Sequence, residues 1–172
     1  MTYYEAFDLE PRLALDAEDL KKRFYDRSRQ WHPDRFSRAS AAEQEKALEM
    51  TSILNDAFRT LRDPIARAEY FLKQNGIELS KEAPPELLEE VFELNMALEE
   101  LRDGDESARP QLLEAKAKFT AMRDEIDGQL AALGAEYDAA KDKAVLDRIR
   151  QTLNRRRYVR NLIHEVENVL PN

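Results

Sequence analysis

The 172-residue chain has no cysteine, two histidines, four glycines and one tryptophan. Without cysteine it can form no disulfide, thiolate zinc site or cysteine nucleophile, and no thiolate of its own can ligate an iron–sulfur cluster. His32 and His164 stand far apart and share no ligand spacing, so no metal site and no bound cofactor are expected. No apolar run approaches the roughly 18 residues of a membrane span. The opening "MTYYEAFDLE" also lacks the basic and apolar regions of a signal peptide. The simplest expectation is a soluble cytoplasmic protein that contacts no membrane.

What is present favours helices. Charged residues make up 36% and hydrophobic residues 42% of the chain, and apolar residues recur at helical spacing over most of the length, so the reading is all-α. The net charge of -8 argues against nucleic acid as a partner, since phosphate binding needs a basic surface. That charge is uneven. Residues 1–76 carry 13 Lys+Arg against 14 Asp+Glu, whereas residues 77–172 carry 14 against 21. Within the first part, residues 20–38 hold seven basic and two acidic residues, a local basic patch.

Local signals divide the chain further. Thr2 and Glu5 fit a capping box that opens a short helix through Phe7, and "DLEPRLAL" reads as a loop. Asp16 is a good N-cap for a helix with Leu20, Phe24 and Trp31 on one face and Arg27 as an imperfect core position. That helix must end near Trp31 or His32, because a proline excludes α geometry from the residue before it. Ser40 and Glu43 suggest a second capping box, and Ala47, Met50, Thr51, Leu54, Phe58 and Leu61 carry the next helix to about Arg62. The two helices should pack antiparallel and leave His32 to Arg38 exposed at one end. A further helix starts at Asp63-Pro64 and closes at Gly76.

The paired prolines of "IELSKEAPPE" mark a boundary. The expected division is 1–76 for the first domain, 77–84 for a linker and 85–172 for a separate three-helix bundle, with stretches at 85–102, 107–136 and 141–170. "RDGDES" separates the first two. Gly134 is the only punctuation between the last two, which leaves a turn or a bent continuous helix open.

Two features invite binding roles. His32, Pro33 and Asp34 form a presented tip in the middle of the basic patch. In the first bundle helix, Leu87, Val91, Leu94, Leu98 and Leu101 suffice for a core, while Leu88, Phe92 and Met96 form a second row roughly 100° round the helix. Either the bundle buries a wide arc, or this row is a docking groove with an aromatic and a flexible methionine as anchors. On the last helix, Val159, Ile163, Val166 and Leu170 form the core row and Tyr158 falls off its centre. The basic run "NRRRYVR" beside it is a solvated face, or the complement of an acidic partner or of the acidic first bundle helix.

A helix ending at His-Pro-Asp, the basic segment before it and an antiparallel partner helix resemble the J domain of co-chaperones that stimulate 70-kDa heat-shock ATPases. The resemblance extends to "YYEAFDL", "WHPDRF", "ILNDAFRTLRDPIARAEYFL" and, more diffusely, "ELNMALEEL", which look like the HscB family of iron–sulfur cluster co-chaperones. It covers essentially the whole chain. It implies an N-terminal J domain that engages an HscA-like chaperone and a C-terminal three-helix bundle that holds an IscU-like scaffold. By position it implies chaperone binding at His32, Pro33 and Asp34, with Lys21, Lys22 and Arg29 steering the encounter. It places scaffold contacts at Leu88, Phe92 and Tyr158, which Met96 extends along the same row. Glu89 stands where the family pattern expects another apolar contact, and the last helix is longer than the pattern by about two turns. The resemblance implies a binding protein and not an enzyme, and a monomer is the favoured state. The rival readings are a general J-domain co-chaperone with another client, an enzyme using His32 as general base, and a helical adaptor in which His-Pro-Asp is only a turn.

Overall fold

The computed structural model describes residues 1–170. Its helices are α1 (Tyr3–Ala6), α2 (Ala17–Gln30), α3 (Ala41–Leu61), α4 (Pro64–Gln74), α5 (Leu88–Arg102), α6 (Arg109–Ala140) and α7 (Lys143–Val169), with short 3-10 turns at Pro33–Phe36, Pro85–Leu87 and Glu106–Ala108. No strand occurs among the described residues. Among them, too, no helix is long and apolar enough to cross a membrane. The sequence expectation for the bundle ran to residue 172; Pro171 and Asn172 lie outside the described residues.

The helix starts follow side-chain chemistry. Thr2 and Glu5 make the full reciprocal capping box of α1, and Asp16 accepts from the N–H groups of Glu18 and Asp19 at the start of α2. Ser40 accepts from Glu43 N–H, but no return bond from Glu43 is present, so the expected second capping box is half made. Asp63 caps α4 with Pro64 in the first turn. Gly76, at φ +74°, follows its end in the left-handed conformation that glycine adopts freely.

The first four helices enclose Phe7, Leu20, Ala47, Leu54, Ala57, Leu61 and Leu72, all buried. Phe24 stacks on Phe58 at 4.2 Å between α2 and α3. The expected loop between these helices contains the 3-10 turn Pro33–Phe36. In the second half, α6 and α7 form a long antiparallel pair with α5 against both.

Between α6 and α7 the alternative left open by the sequence resolves as a turn, later than the expected helix end at 136. The helix runs straight through Gly134 to Ala140 and ends where Lys141 takes φ +56° and Asp142 caps α7. Gly134 serves instead for close approach: a Cβ there would lie 3.2 Å from the Cβ of Leu13, in the loop before α2. The two halves are therefore not isolated, as the separate-trio reading implied. Their buried residues form one contiguous apolar cluster, joined where Phe71 of α4 meets Tyr137 of α6 edge to face at 5.4 Å.

Candidate functional site

The tip is built from the local chain. Trp31 ends α2, with its N–H on the carbonyl of Arg27 at 3.1 Å, and Pro33 opens the 3-10 turn. His32 caps that turn: its Nδ1 accepts the N–H of Asp34 at 3.2 Å. The carboxylate of Asp34 lies 3.7 Å from the same Nδ1, which as an acceptor offers it no hydrogen bond. Asp34 is thus left with an unengaged carboxylate, 92% exposed.

Four residues that the sequence reading did not single out for the tip hold it in place. Trp31 stacks on Phe36 at 5.8 Å with the rings 4° from parallel. Lys46 of α3 sits 5.6 Å from the centre of the Trp31 ring, a cation–π contact. Thr51 donates its hydroxyl to the carbonyls of Trp31 and Ala47 at 3.2 and 2.8 Å. The available signal was the pair of aromatics five residues apart around the proline, which a turn brings face to face.

Lys21, Lys22 and Arg29 are exposed on α2. Arg29 pairs with Asp26 at 3.3 Å, a contact of small worth at such exposure. The half-buried Arg27 fits the expectation of a packed stem with its head toward water.

The second candidate surface lies on α5. Leu88, Phe92 and Met96 are 54%, 65% and 49% exposed, whereas Leu87, Leu94 and Leu98 are buried. The bundle therefore does not bury the wider arc. Tyr158 of α7 is half-buried, and its hydroxyl donates to the carbonyl of Lys81 at 2.9 Å. One turn earlier, Asn154 donates to the carbonyl of Glu82 at 3.2 Å, so α7 pins the segment that leads into α5. Two arginines of the basic run of α7 reach α6: Arg156 pairs with Asp127 and Arg155 bonds Gln129.

A third set of polar contacts joins the halves. Asp138 of α6 accepts from Leu13 N–H at 3.0 Å and Ala14 N–H at 2.8 Å. Arg67 of α4 donates to the carbonyls of Leu13 and Leu61 at 2.8 and 2.7 Å, and burial lowers its pKa without approaching neutrality. Tyr4 donates to Arg12 carbonyl at 2.7 Å, and burial pushes its hydroxyl pKa well above the ordinary tyrosine value.

A helical hairpin that presents His-Pro-Asp at a capped bend, followed by a helical bundle, defines a J-domain protein of two-unit design. Residues 2–70 match the DnaJ domain and residues 83–167 match the HSCB C-terminal oligomerisation domain. The chain is 33% identical to the co-chaperone protein HscB homolog of Vibrio vulnificus strain YJ016 over 172 residues, covering 97% of this chain and 95% of that protein. It is also 33% identical to the homolog from Neisseria meningitidis serogroup B strain MC58, covering 98% of each. Among solved structures, chaperone HscB from Vibrio cholerae superposes with a TM-score of 0.68 at 30% identity, covering 98% of this chain and 97% of that one. Human co-chaperone protein HscB, at 24% identity, shares the fold with a TM-score of 0.72 over 98% of this chain and 81% of the human one. The chain belongs to the HscB co-chaperone family, and membership makes it a co-chaperone of iron–sulfur cluster assembly. As a J-domain protein it has a 70-kDa heat-shock chaperone for a partner.

Proposed function

We propose that this chain brings an IscU-like scaffold protein to an HscA-like 70-kDa chaperone and stimulates that chaperone's ATPase, acting as a monomer in the cytoplasm and catalysing no reaction itself. We keep the division 1–76 for the J domain, 77–84 for the linker and 85–172 for the scaffold-binding bundle. The observation that carries the reading is the exposed, unengaged Asp34 carboxylate on a turn fixed by His32, Pro33 and the Trp31–Phe36 stack. Such a carboxylate accepts a charge-assisted hydrogen bond from an arginine of the chaperone. Lys21, Lys22 and Arg29 draw an acidic surface toward it. The effect on the chaperone is a population shift: contacts made better with its hydrolysing conformation favour that conformation.

On the bundle, Leu88, Phe92 and Met96 supply an apolar row for the scaffold, and the ring of Tyr158 adds to it while its hydroxyl stays on Lys81. Holding both partners on one chain raises the effective concentration of each near the other. A steady-state ATPase assay with purified chaperone and scaffold tests the reading. Asp34→Asn should abolish stimulation and keep scaffold affinity; full stimulation by the variant would refute the role of the tip. Phe92→Ala with Met96→Ala should weaken scaffold binding by calorimetry at unchanged helical content. Unchanged affinity would move the cargo surface elsewhere.

A further inference from the structure

Tyr25 is 51% exposed on α2, although its neighbour Phe24 is packed between Phe7 and Phe58. Lys21, Tyr25 and Ser28 follow the spacing i, i+4, i+7, which sets them in one row along α2, and His32 lies just beyond the end of the helix. Tyr25, Ser28, Arg29, His32 and Arg35 line a shallow recess of about 600 Å³ whose wall is mostly carbon. An aromatic ring left in water inside a strongly basic strip contributes nothing to solubility. It does what exposed aromatics do at binding surfaces, offering rigid apolar area at low entropic cost.

We infer that Tyr25 is the apolar anchor of the chaperone-binding face, inserting into a hydrophobic depression on an acidic surface of the 70-kDa chaperone's ATPase domain. The inference rests on the tip reading above and extends it along α2. The recess is continuous with His32, and the cations around it, Lys21, Arg29 and Arg35, suit an acidic rim on the partner. A wholly polar strip would steer encounters with any acidic surface. An aromatic at its centre demands a matching pocket, and this restricts the choice of chaperone. Tyr25 is therefore a specificity-determining contact that sets affinity, while Asp34 sets the stimulated rate.

The test is a titration of full-length protein into the chaperone, recording ATPase rate against concentration. Tyr25→Ala should raise the half-maximal concentration about tenfold with the plateau unchanged, as loss of a central anchor does, and Tyr25→Trp should restore it. Because the side chain is exposed, circular dichroism of both variants should match wild type. A half-maximal concentration equal to wild type for Tyr25→Ala, or a lowered plateau at unchanged half-maximal concentration, overturns the anchor. Asp34→Asn measured in parallel separates the two readings: if it stimulates fully, the tip reading fails, whereas its inactivity beside an unaffected Tyr25→Ala removes only the anchor.

Discussion

Asp138 of α6 accepts the backbone N–H of Leu13, 125 residues earlier in the chain, at 3.0 Å, and the adjacent Ala14 N–H at 2.8 Å. Its side chain is only 3% exposed. The carboxylate ties the loop before α2 to the bundle, and so helps fix the J domain against the helices carrying the apolar row. Asp138→Ala removes both bonds. Water can reach the N–H of Ala14 but not readily that of Leu13, so the expected loss is about 1–3 kcal/mol, read from the midpoint of urea unfolding. Asp138→Asn keeps one acceptor oxygen and should lose less.

Two glycines in α6 should respond oppositely to alanine. Gly128 has open space where a Cβ would go, whereas at Gly134 the Cβ would come 3.2 Å from that of Leu13. Neither substitution meets backbone strain inside the helix. Gly128→Ala should therefore gain about 0.5–1 kcal/mol from helix propensity. Gly134→Ala should forfeit that gain by pushing the loop away. Equal stabilisation of the two variants in parallel urea titrations would show that the loop yields freely and that the close approach carries no weight.

Tyr4 gives the stability an alkaline slope. Burial raises its folded-state pKa above the ordinary value, which is about 10 in an unfolded chain. Below that pH both states hold the proton and the contribution is complete. Above it the unfolded state releases its proton while the folded state does not, so stability falls as pH rises toward the folded value. Tyr4→Phe removes this part of the slope. It also removes the bond to the Arg12 carbonyl, costing about 1 kcal/mol at neutral pH. Unfolding midpoints of the two proteins should converge between about pH 8 and pH 11; parallel curves would contradict the assignment.

The single tryptophan reports on the tip. Trp31 stacks on Phe36 and lies under Lys46, so Phe36→Ala should red-shift its fluorescence as the ring gains water. The same variant should stimulate the chaperone severalfold less than wild type, because Asp34 is then presented by a looser turn. A large spectral shift with undiminished stimulation would mean that rigidity at the turn is unimportant.

The limits of sequence reading follow from range. Caps, prolines and helical stripes act within a few residues, so α1 to α5 were legible, and so was the exposed His-Pro-Asp bend. The pairing of Ser40 with Glu43 shows the limit even locally, since a fitting spacing permits the second bond without making it. Gly134 left the last break open for a related reason. Glycine is read as a break because of its freedom, yet here its missing side chain admits Leu13 from another part of the chain. The true break carried only Lys141 and Asp142, two charged residues with no turn signature as strong as glycine.

The sequence by itself determined the all-helical class, the family and the presence of a second apolar row on α5, because each depends on residue type and on spacing within one helix. Only the tertiary structure decided that this row is exposed, that α7 holds the linker through Asn154 and Tyr158, and that Asp138 locks Leu13 to the bundle. Burial and long-range hydrogen bonds depend on which surfaces meet, and residues more than seventy positions apart leave no periodic trace of their meeting in a single chain.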